Sequence, residues 1–305
     1  MATAPPPSVS LRQSPKGGEV LNTPEPNPTN VLRLSRRLIL LIHGYNNDLK
    51  AGKEAYDGFD SMQRELADLP PDQPICDGQI VGVYWPGDAN WSIFSALYYP
   101  WSIEKAKTAA ASFAAALDSA AREGLLYQVD IIAHSMGSRL TLELLKQLLP
   151  SPRIRVVHIV FMAAAVPTFM FDPADGQKLR PAYEAKLADG AISLYSGDDM
   201  VLSLAFPLGQ TAAGAGEGWF PTALGHDIWL SHLTPPNLLQ YPINGAGHSD
   251  YWGWNKDTLD KAREANKHIR EFLRFTSRVV REVPSRAVVE RDGPEERTTA
   301  EYSSP

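Results

Sequence analysis

The sequence predicts an α/β fold in which a mostly parallel central sheet is flanked by helices. Short apolar runs recur along the chain and alternate with segments of helical periodicity. The run at residues 38–42 is continuous, as expected for a strand that is buried on both faces of a parallel sheet. The chain has 305 residues, of which 44% are hydrophobic. This is enough for one large core without disulfides or a structural metal.

Six apolar runs are candidate strands. They are residues 38–42, 79–85, 129–133, 156–166, 191–196 and 238–243. Four helix-like segments lie between them, at residues 51–68, 102–122, 136–149 and 175–188. A last helix is predicted over about 256–282, where apolar residues repeat at helical spacing.

Both ends of the chain and one internal segment differ from this pattern. Seven prolines fall within residues 1–30, and such a segment buries too little apolar surface to offset its ordering entropy. We therefore expect a disordered leader over 1–30, one folded domain over 31–282 and a disordered tail over 283–305. The segment 203–237 is rich in Gly, Pro and aromatic residues. We interpret it as a cap or lid beside the functional site, or alternatively as a surface excursion that packs against its own aromatic side chains.

Composition argues against several classes of protein. The net charge is −6, from 29 basic and 35 acidic residues, and there is no basic stripe, so no nucleic-acid partner is expected. The single cysteine, Cys76, permits neither an internal disulfide nor a cysteine-based zinc cluster. No apolar run approaches the ~18–20 residues of a membrane-spanning helix, so we expect no integral membrane segment. The first residues do not resemble a secretory signal. A cytoplasmic location follows, although a protein whose signal had been removed would look the same.

The most specific motif is Ala-His-Ser-Met-Gly at residues 133–137, between a candidate strand and a candidate helix. This is the context of a nucleophile elbow, in which a serine lies on a tight turn between small residues. Ala133 stands where glycine is usual, and it is still small. Ser135 is therefore the candidate nucleophile. The alternative is an ordinary serine that caps a helix.

A second motif, His-Gly-Tyr-Asn at residues 43–46, follows the first candidate strand. In hydrolases with this kind of sheet, the loop after that strand supplies one oxyanion donor and the residue after the nucleophile supplies the other. The backbone N–H groups of Tyr45 and Met136 are our candidates. Gly44 allows the chain to approach the substrate closely. His43 precedes the serine in a motif with another role, which favours a structural function.

A serine nucleophile needs a base that is oriented by a carboxylate, and the usual chain order is serine, acid, histidine. Asp198 and Asp199 stand at the end of the fifth candidate strand, and His248 lies in a glycine-rich loop before the last helix. Either carboxylate satisfies this order, and the other is then a cap or a loop anchor. His226 and His232 are the rivals of His248.

A metal site is a further alternative for this part of the chain. His226, Asp227, His232 and Asp250 are its candidate ligands, but their spacing matches no regular ligand pattern. We therefore expect no metal and no organic cofactor.

These motifs resemble those of the α/β-hydrolase superfamily over most of residues 31–282. They are more similar still to a bacterial α/β-hydrolase family of unknown function. The resemblance is carried by His-Gly-Tyr-Asn at 43–46, Trp85-Pro86, the 133–137 motif with Arg139, and Tyr195-Ser196 with Asp199 and Leu202. It implies an α/β-hydrolase fold with a triad of Ser135, Asp199 and His248. The general superfamily spacing also admits Asp198 as the acid, through Val201.

The resulting hypothesis is a serine esterase that cleaves a small-molecule carboxylic ester through an acyl-enzyme. Four residues within these motifs are candidate substrate-binding positions: Gly44, Asn46, Trp85 and His134. Lipase, thioesterase, amidase and acyltransferase activities use the same intermediate. A non-catalytic scaffold with this fold is the alternative from a different class. We expect short or medium acyl esters in solution, because the glycine-rich segment 203–237 shows no clear amphipathic helix.

Overall fold

A computed structural model describes residues 6–33, 35–45, 47–87, 95–172, 179–214, 219–226 and 234–275, with the backbone alone over 95–99. The strands are β1 (Ser8–Ser14), β2 (Gly17–Asn27), β3 (Arg37–Ile42), β4 (Gln79–Tyr84), β5 (Gln128–His134), β6 (Arg155–Met162), β7 (Leu187–Tyr195) and β8 (Leu238–Pro242). The helices are α1 (Leu49–Ala67), α2 (Ser95–Glu123), α3 (Met136–Leu148), α4 (Arg180–Lys186), α5 (Phe206–Ala212) and α6 (Leu259–Phe272).

The eight strands form one sheet in the order β2-β1-β4-β3-β5-β6-β7-β8. Only the β1–β2 pair is antiparallel. Helices α1 and α6 pack together, and α2 packs against α3, so the sheet is flanked by helices. The mostly parallel α/β architecture is confirmed. Because parallel strands end at the same edge, the loops after β3, β5, β7 and β8 come together at the carboxyl edge of the sheet.

The prediction of a disordered leader over 1–30 is wrong for residues 8–27, which form β1 and β2. Val9 and Leu11 of β1 are fully buried, and β1 pairs in parallel with β4. Pro24 and Pro26 lie on β2, the edge strand of the sheet. A proline on an edge strand can direct its missing N–H outward, where no ladder bond is lost. The predicted tail over 283–305 lies outside the described residues.

The predicted excursion over 203–237 does connect β7 to β8, but part of it is regular. A π-helical turn, Val201–Ala205, continues directly into α5. Beyond α5, the structure describes residues 213–214, 219–226 and 234–237 of this segment, and Ala223 forms a bridge with Pro167. Across the described parts of the chain, no helix is both long enough and apolar enough to cross a bilayer.

Candidate active site

Ser135 lies at the junction of β5 and α3, with φ 53° and ψ −124°. A positive φ is rare outside glycine and occurs where the surroundings hold a strained turn in place. Here the Ser135 N–H donates to the Met162 carbonyl at 2.9 Å, and the Ser135 carbonyl accepts from the Ala165 N–H at 3.1 Å. These bonds to the neighbouring strand and the loop after it hold the serine at the carboxyl edge of the sheet.

Two glycines allow the segments around Ser135 to approach each other. A Cβ atom on Gly137 would lie 2.6 Å from the His43 carbonyl oxygen, and one on Gly44 would lie 2.7 Å from the Ser135 Cβ. Both distances are shorter than any ordinary contact. The structure thus places Gly44 against the serine itself, at the point where the loop after β3 crosses the turn.

A chain of hydrogen bonds joins Ser135, His248 and Asp199. The Ser135 Oγ lies 2.8 Å from His248 Nε2, and His248 Nδ1 lies 2.7 Å from Asp199 Oδ2. Burial alone would raise the pKa of Asp199. The hydrogen bond and charge of His248 and the N–H of Leu202 outweigh it and lower the pKa. An ionised carboxylate only accepts, so Nδ1 carries the hydrogen, and in the neutral ring Nε2 accepts from the serine hydroxyl.

The two adjacent aspartates have different partners. The Asp199 side chain is fully buried, and its Oδ1 accepts from the N–H groups of Val201 and Leu202 at 3.0 Å each. Asp198 is exposed, and its Oδ2 accepts from the Gly245 N–H at 2.9 Å. The structure therefore brings Asp199 to the histidine ring, whereas Asp198 tethers the loop that carries this ring.

Residues that sequence reasoning missed hold the His248 loop. Asp250, considered only as a metal ligand, accepts from the Gly247 N–H at 2.7 Å and from the Thr258 hydroxyl at 2.9 Å. Asn266 of α6 donates to the Tyr251 carbonyl at 2.9 Å. One signal for Asn266 was present in the sequence, since it is a polar residue beside the predicted apolar face of the last helix.

The two candidate oxyanion donors lie on the segments that flank Ser135. Met136 is the first residue of α3, where a backbone N–H has no acceptor within the helix. Tyr45 follows Gly44 directly, in the loop that crosses the serine turn. Asn46, predicted to bind substrate, lies outside the described residues.

His226, one of the two rival histidines, does not join this chain of hydrogen bonds. The His226 N–H donates to the Ala223 carbonyl at 3.1 Å, and its ring forms no bond with Ser135 or Asp199. His232 and Asp227 lie outside the described residues. Within the described ranges, no group of three or more His, Cys, Asp or Glu side chains is placed to hold a metal ion.

A comparison with known protein families shows to which family the chain is related. Residues 29–202 match the model of a family described as alpha/beta hydrolases of unknown function (DUF900). The chain belongs to this α/β-hydrolase family. The fold and the resemblance predicted from the sequence motifs are thereby confirmed.

Solved structures with a similar fold include an esterase of Pyrobaculum calidifontis and an esterase/lipase from an uncultured bacterium. The first is 14% identical, with a TM-score of 0.42, over 80% of this chain and 78% of that protein. The second is 13% identical, with a TM-score of 0.37, over 78% of this chain and 76% of that protein. No curated protein matches the chain in sequence. The substrate of this α/β-hydrolase family member must therefore be argued from the chemistry of its own site.

His134 lies beneath the histidine of the hydrogen-bond chain. Its Nε2 is 2.6 Å from the His248 carbonyl oxygen, and the two rings are 5.0 Å apart. A carbonyl only accepts, so Nε2 is the donor. Burial, followed by the neighbouring His248, lowers the pKa of His134 to about 3. This placement supports a role in positioning His248, and differs from the predicted role in binding substrate.

We expect His134→Leu to lower kcat by about 10- to 100-fold with little change in KM, because a lost buried hydrogen bond costs about 1–3 kcal/mol. His134→Gln keeps an amide donor and should stay within a few fold of the parent. Steady-state kinetics on a soluble ester measure both variants. If the two variants were equally active, the hydrogen bond from residue 134 would not position His248.

Trp85 and His43 are buried below the loop that follows β3. The Trp85 ring is fully buried, and its Nε1 donates to the His43 carbonyl at 2.8 Å. The His43 ring stacks on it at 5.9 Å and donates from Nδ1 to the Gly44 carbonyl at 2.9 Å. The substrate-binding role predicted for Trp85 is not supported, because no part of its ring reaches the surface.

Acid should destabilise the fold through these buried histidines. Burial lowers the pKa of His43 to about 4 and that of His134 to about 3, whereas an unfolded histidine titrates near ~6.5. Between these values the unfolded chain binds more protons, so the free energy of unfolding falls as pH falls from about 6.5 towards 4. At pH 5 the loss is about 2 kcal/mol for each histidine.

Urea unfolding at pH 7 and pH 5 measures this effect. His134→Gln removes one of the two titrating groups, and it should show about half of the loss attributed to the pair. A free energy of unfolding with the same pH dependence in the parent and the variant would contradict the prediction.

Proposed function

We propose that the protein is a serine hydrolase that cleaves carboxylic esters through an acyl-enzyme. The observation that carries the proposal is the hydrogen-bond chain from the Ser135 hydroxyl through His248 to the buried Asp199 carboxylate, at 2.8 and 2.7 Å. In this arrangement a neutral imidazole can take the proton of an attacking serine, and the carboxylate stabilises the imidazolium that forms. The strained backbone at Ser135 presents its side chain at the carboxyl edge of the sheet.

In the first half of the proposed reaction, the Ser135 Oγ attacks the ester carbonyl carbon while His248 Nε2 takes the hydroxyl proton. The backbone N–H groups of Met136 and Tyr45 stabilise the resulting oxyanion. The tetrahedral intermediate then collapses and breaks the carbon–oxygen bond to the alcohol. This alcohol leaves with the proton from His248, and the acyl group stays on the serine.

In the second half, water attacks the acyl-enzyme carbonyl and gives a proton to His248 Nε2. Collapse of the second intermediate releases the carboxylic acid, and His248 returns the proton to Ser135. Every proton moves through one nitrogen atom, so the cycle needs neither a metal ion nor an organic cofactor. Thioesterase, amidase and acyltransferase reactions share the acyl-enzyme and differ in the leaving group or in the acceptor.

A substrate panel tests this proposal. Matched p-nitrophenyl esters, thioesters and anilides of the same short acids are compared by kcat/KM, with His248→Ala as the inactive control. We expect turnover of the oxygen esters, with the parent far above the control. A preference for thioesters or anilides would replace the ester assignment, and no turnover of any compound would favour the non-catalytic scaffold.

A further inference from the structure

The helical segment that follows Asp199 exposes apolar side chains on its outer side. Its inner side chains, Leu202, Phe206 and Gln210, are buried. The residues that face outward include Met200, Val201, Leu204 and Leu208, and they are between 44% and 65% exposed. The outward positions Ala205 and Ala212 are apolar too. No charged side chain lies between Met200 and Ala212.

Two aromatic residues extend this surface at the end of α5. The Phe220 N–H donates to the Thr211 hydroxyl at 2.9 Å, which fixes the aromatic pair beside the helix. The rings of Trp219 and Phe220 are 5.5 Å apart and are 81% and 52% exposed. We use the term apolar face for the set Met200, Val201, Leu204, Leu208, Trp219 and Phe220.

A helix at the surface of a protein normally turns polar residues outward, whereas this one exposes apolar side chains. A contiguous exposed apolar patch marks a site of interaction. The sequence-based prediction that this segment contains no such helical face is therefore wrong. Its prolines and glycines suggested a loop, but Pro207 occupies the first turn of α5, where no backbone N–H is needed.

The charge and the position of the apolar face favour one kind of partner. No Lys or Arg occurs between Lys186 and Lys256, so this stretch offers no cation to an anionic headgroup. An exposed Trp suits the boundary between an apolar phase and water, since its ring is apolar and its N–H is polar. The face also begins one residue after Asp199, at the edge of the sheet where an ester carbonyl must reach Ser135.

We propose that the apolar face docks the protein onto an electrically neutral lipid surface, from which it draws a water-insoluble ester substrate. This inference rests on the proposed esterase function, and it names the substrate class. It replaces the sequence-based expectation of short or medium esters in solution. A second copy of the chain is the competing occupant of the face.

Flotation with phosphatidylcholine vesicles tests the docking without any need for catalysis, because the full chain is used as Ser135→Ala. The test variant adds Leu204→Gln and Leu208→Gln. The matched control adds Leu125→Gln and Leu149→Gln, at leucines that are 54% and 47% exposed elsewhere on the protein. Each protein is also run by gel filtration, and binding to vesicles that contain phosphatidylglycerol is measured in parallel.

We expect the Ser135→Ala protein to bind the neutral vesicles as a monomer, with no gain from phosphatidylglycerol. The Leu204/Leu208 variant should lose roughly tenfold or more in partition coefficient, because two apolar side chains no longer leave water. The Leu125/Leu149 control should lose little. Absence of vesicle binding, equal loss in both variants, or a dimer that only the Leu204/Leu208 changes dissociate would overturn the proposal.

Turnover of p-nitrophenyl acetate separates this proposal from the one on which it rests. The Leu204/Leu208 changes, made on the active parent, should leave hydrolysis of this soluble ester unchanged. Vesicle binding without any ester hydrolysis supports the docking surface and removes the esterase function. Ester hydrolysis without vesicle binding keeps the esterase function and overturns the docking.

Discussion

Ser135→Ala is expected to fold like the parent and to lose about 10⁴- to 10⁶-fold in kcat, the effect of removing the nucleophile from a serine triad. The change removes one oxygen atom and adds no bulk. The bonds that hold the turn come from the main chain of residue 135, to Met162 and Ala165, and alanine keeps them. The variant should therefore lose catalytic activity and keep the fold of the parent.

Kinetics on p-nitrophenyl butyrate, with thermal melts of each protein, measure this result. Ser138→Ala is the matched control, since Ser138 is buried like Ser135 and stands three residues further along. Its hydroxyl donates only a long bond of 3.4 Å to the Ala133 carbonyl. The control should keep activity within a few fold. If Ser135→Ala kept more than a few per cent of the parent rate, Ser135 would not be the nucleophile.

Asp199→Asn should lower kcat by about 10⁴-fold, and Asp198→Asn by about tenfold or less. The carboxylate of Asp199 accepts from His248 Nδ1, whereas an asparagine amide can donate to that nitrogen and so stabilise the wrong tautomer of the ring. Asparagine at position 198 still offers an oxygen to the Gly245 N–H, and a cap of this kind contributes only ~1 kcal/mol.

The pair of asparagine variants is compared at one pH, with each protein shown to be folded. The changes are chemically identical and one residue apart, so each serves as the control for the other. The reverse ranking would transfer the acid role to Asp198, and it would leave the roles proposed for Ser135 and His248 unchanged.

The central strands were predictable because a strand that is buried on both faces needs apolar residues at nearly every position. β3 contains a continuous apolar run at residues 38–42, and the apolar run of β5 is interrupted only by Asp130, so both strands can be recognised without knowing their partners. The edge strand β2 and its neighbour β1 contain no such run, since β2 carries two prolines and many polar residues. β1 is stabilised by its pairing with β4 and by a few buried side chains such as Val9, and β2 by its pairing with β1. Local composition does not reveal these contacts.

The residues of the candidate site that could be predicted are those whose place along the chain, after a strand, determines where they lie. Ser135, Asp199 and His248 each end or follow a predicted strand, and a parallel sheet brings such positions to one edge. The contacts of His134 and Asp250 depend on how one loop folds over another, and no periodic pattern records them. The exposed face of α5 was missed for a different reason, because glycine and proline were interpreted as signs of a loop.

Covalent labelling tests the central claim, that Ser135 is an activated nucleophile, most directly. The intact protein is treated with a fluorophosphonate, and the adduct is located by mass spectrometry of its peptides. We predict a single adduct on Ser135, absent from Ser135→Ala and formed much more slowly by Asp199→Asn. A folded parent protein that gains no adduct, or that carries it on another serine, would contradict the claim.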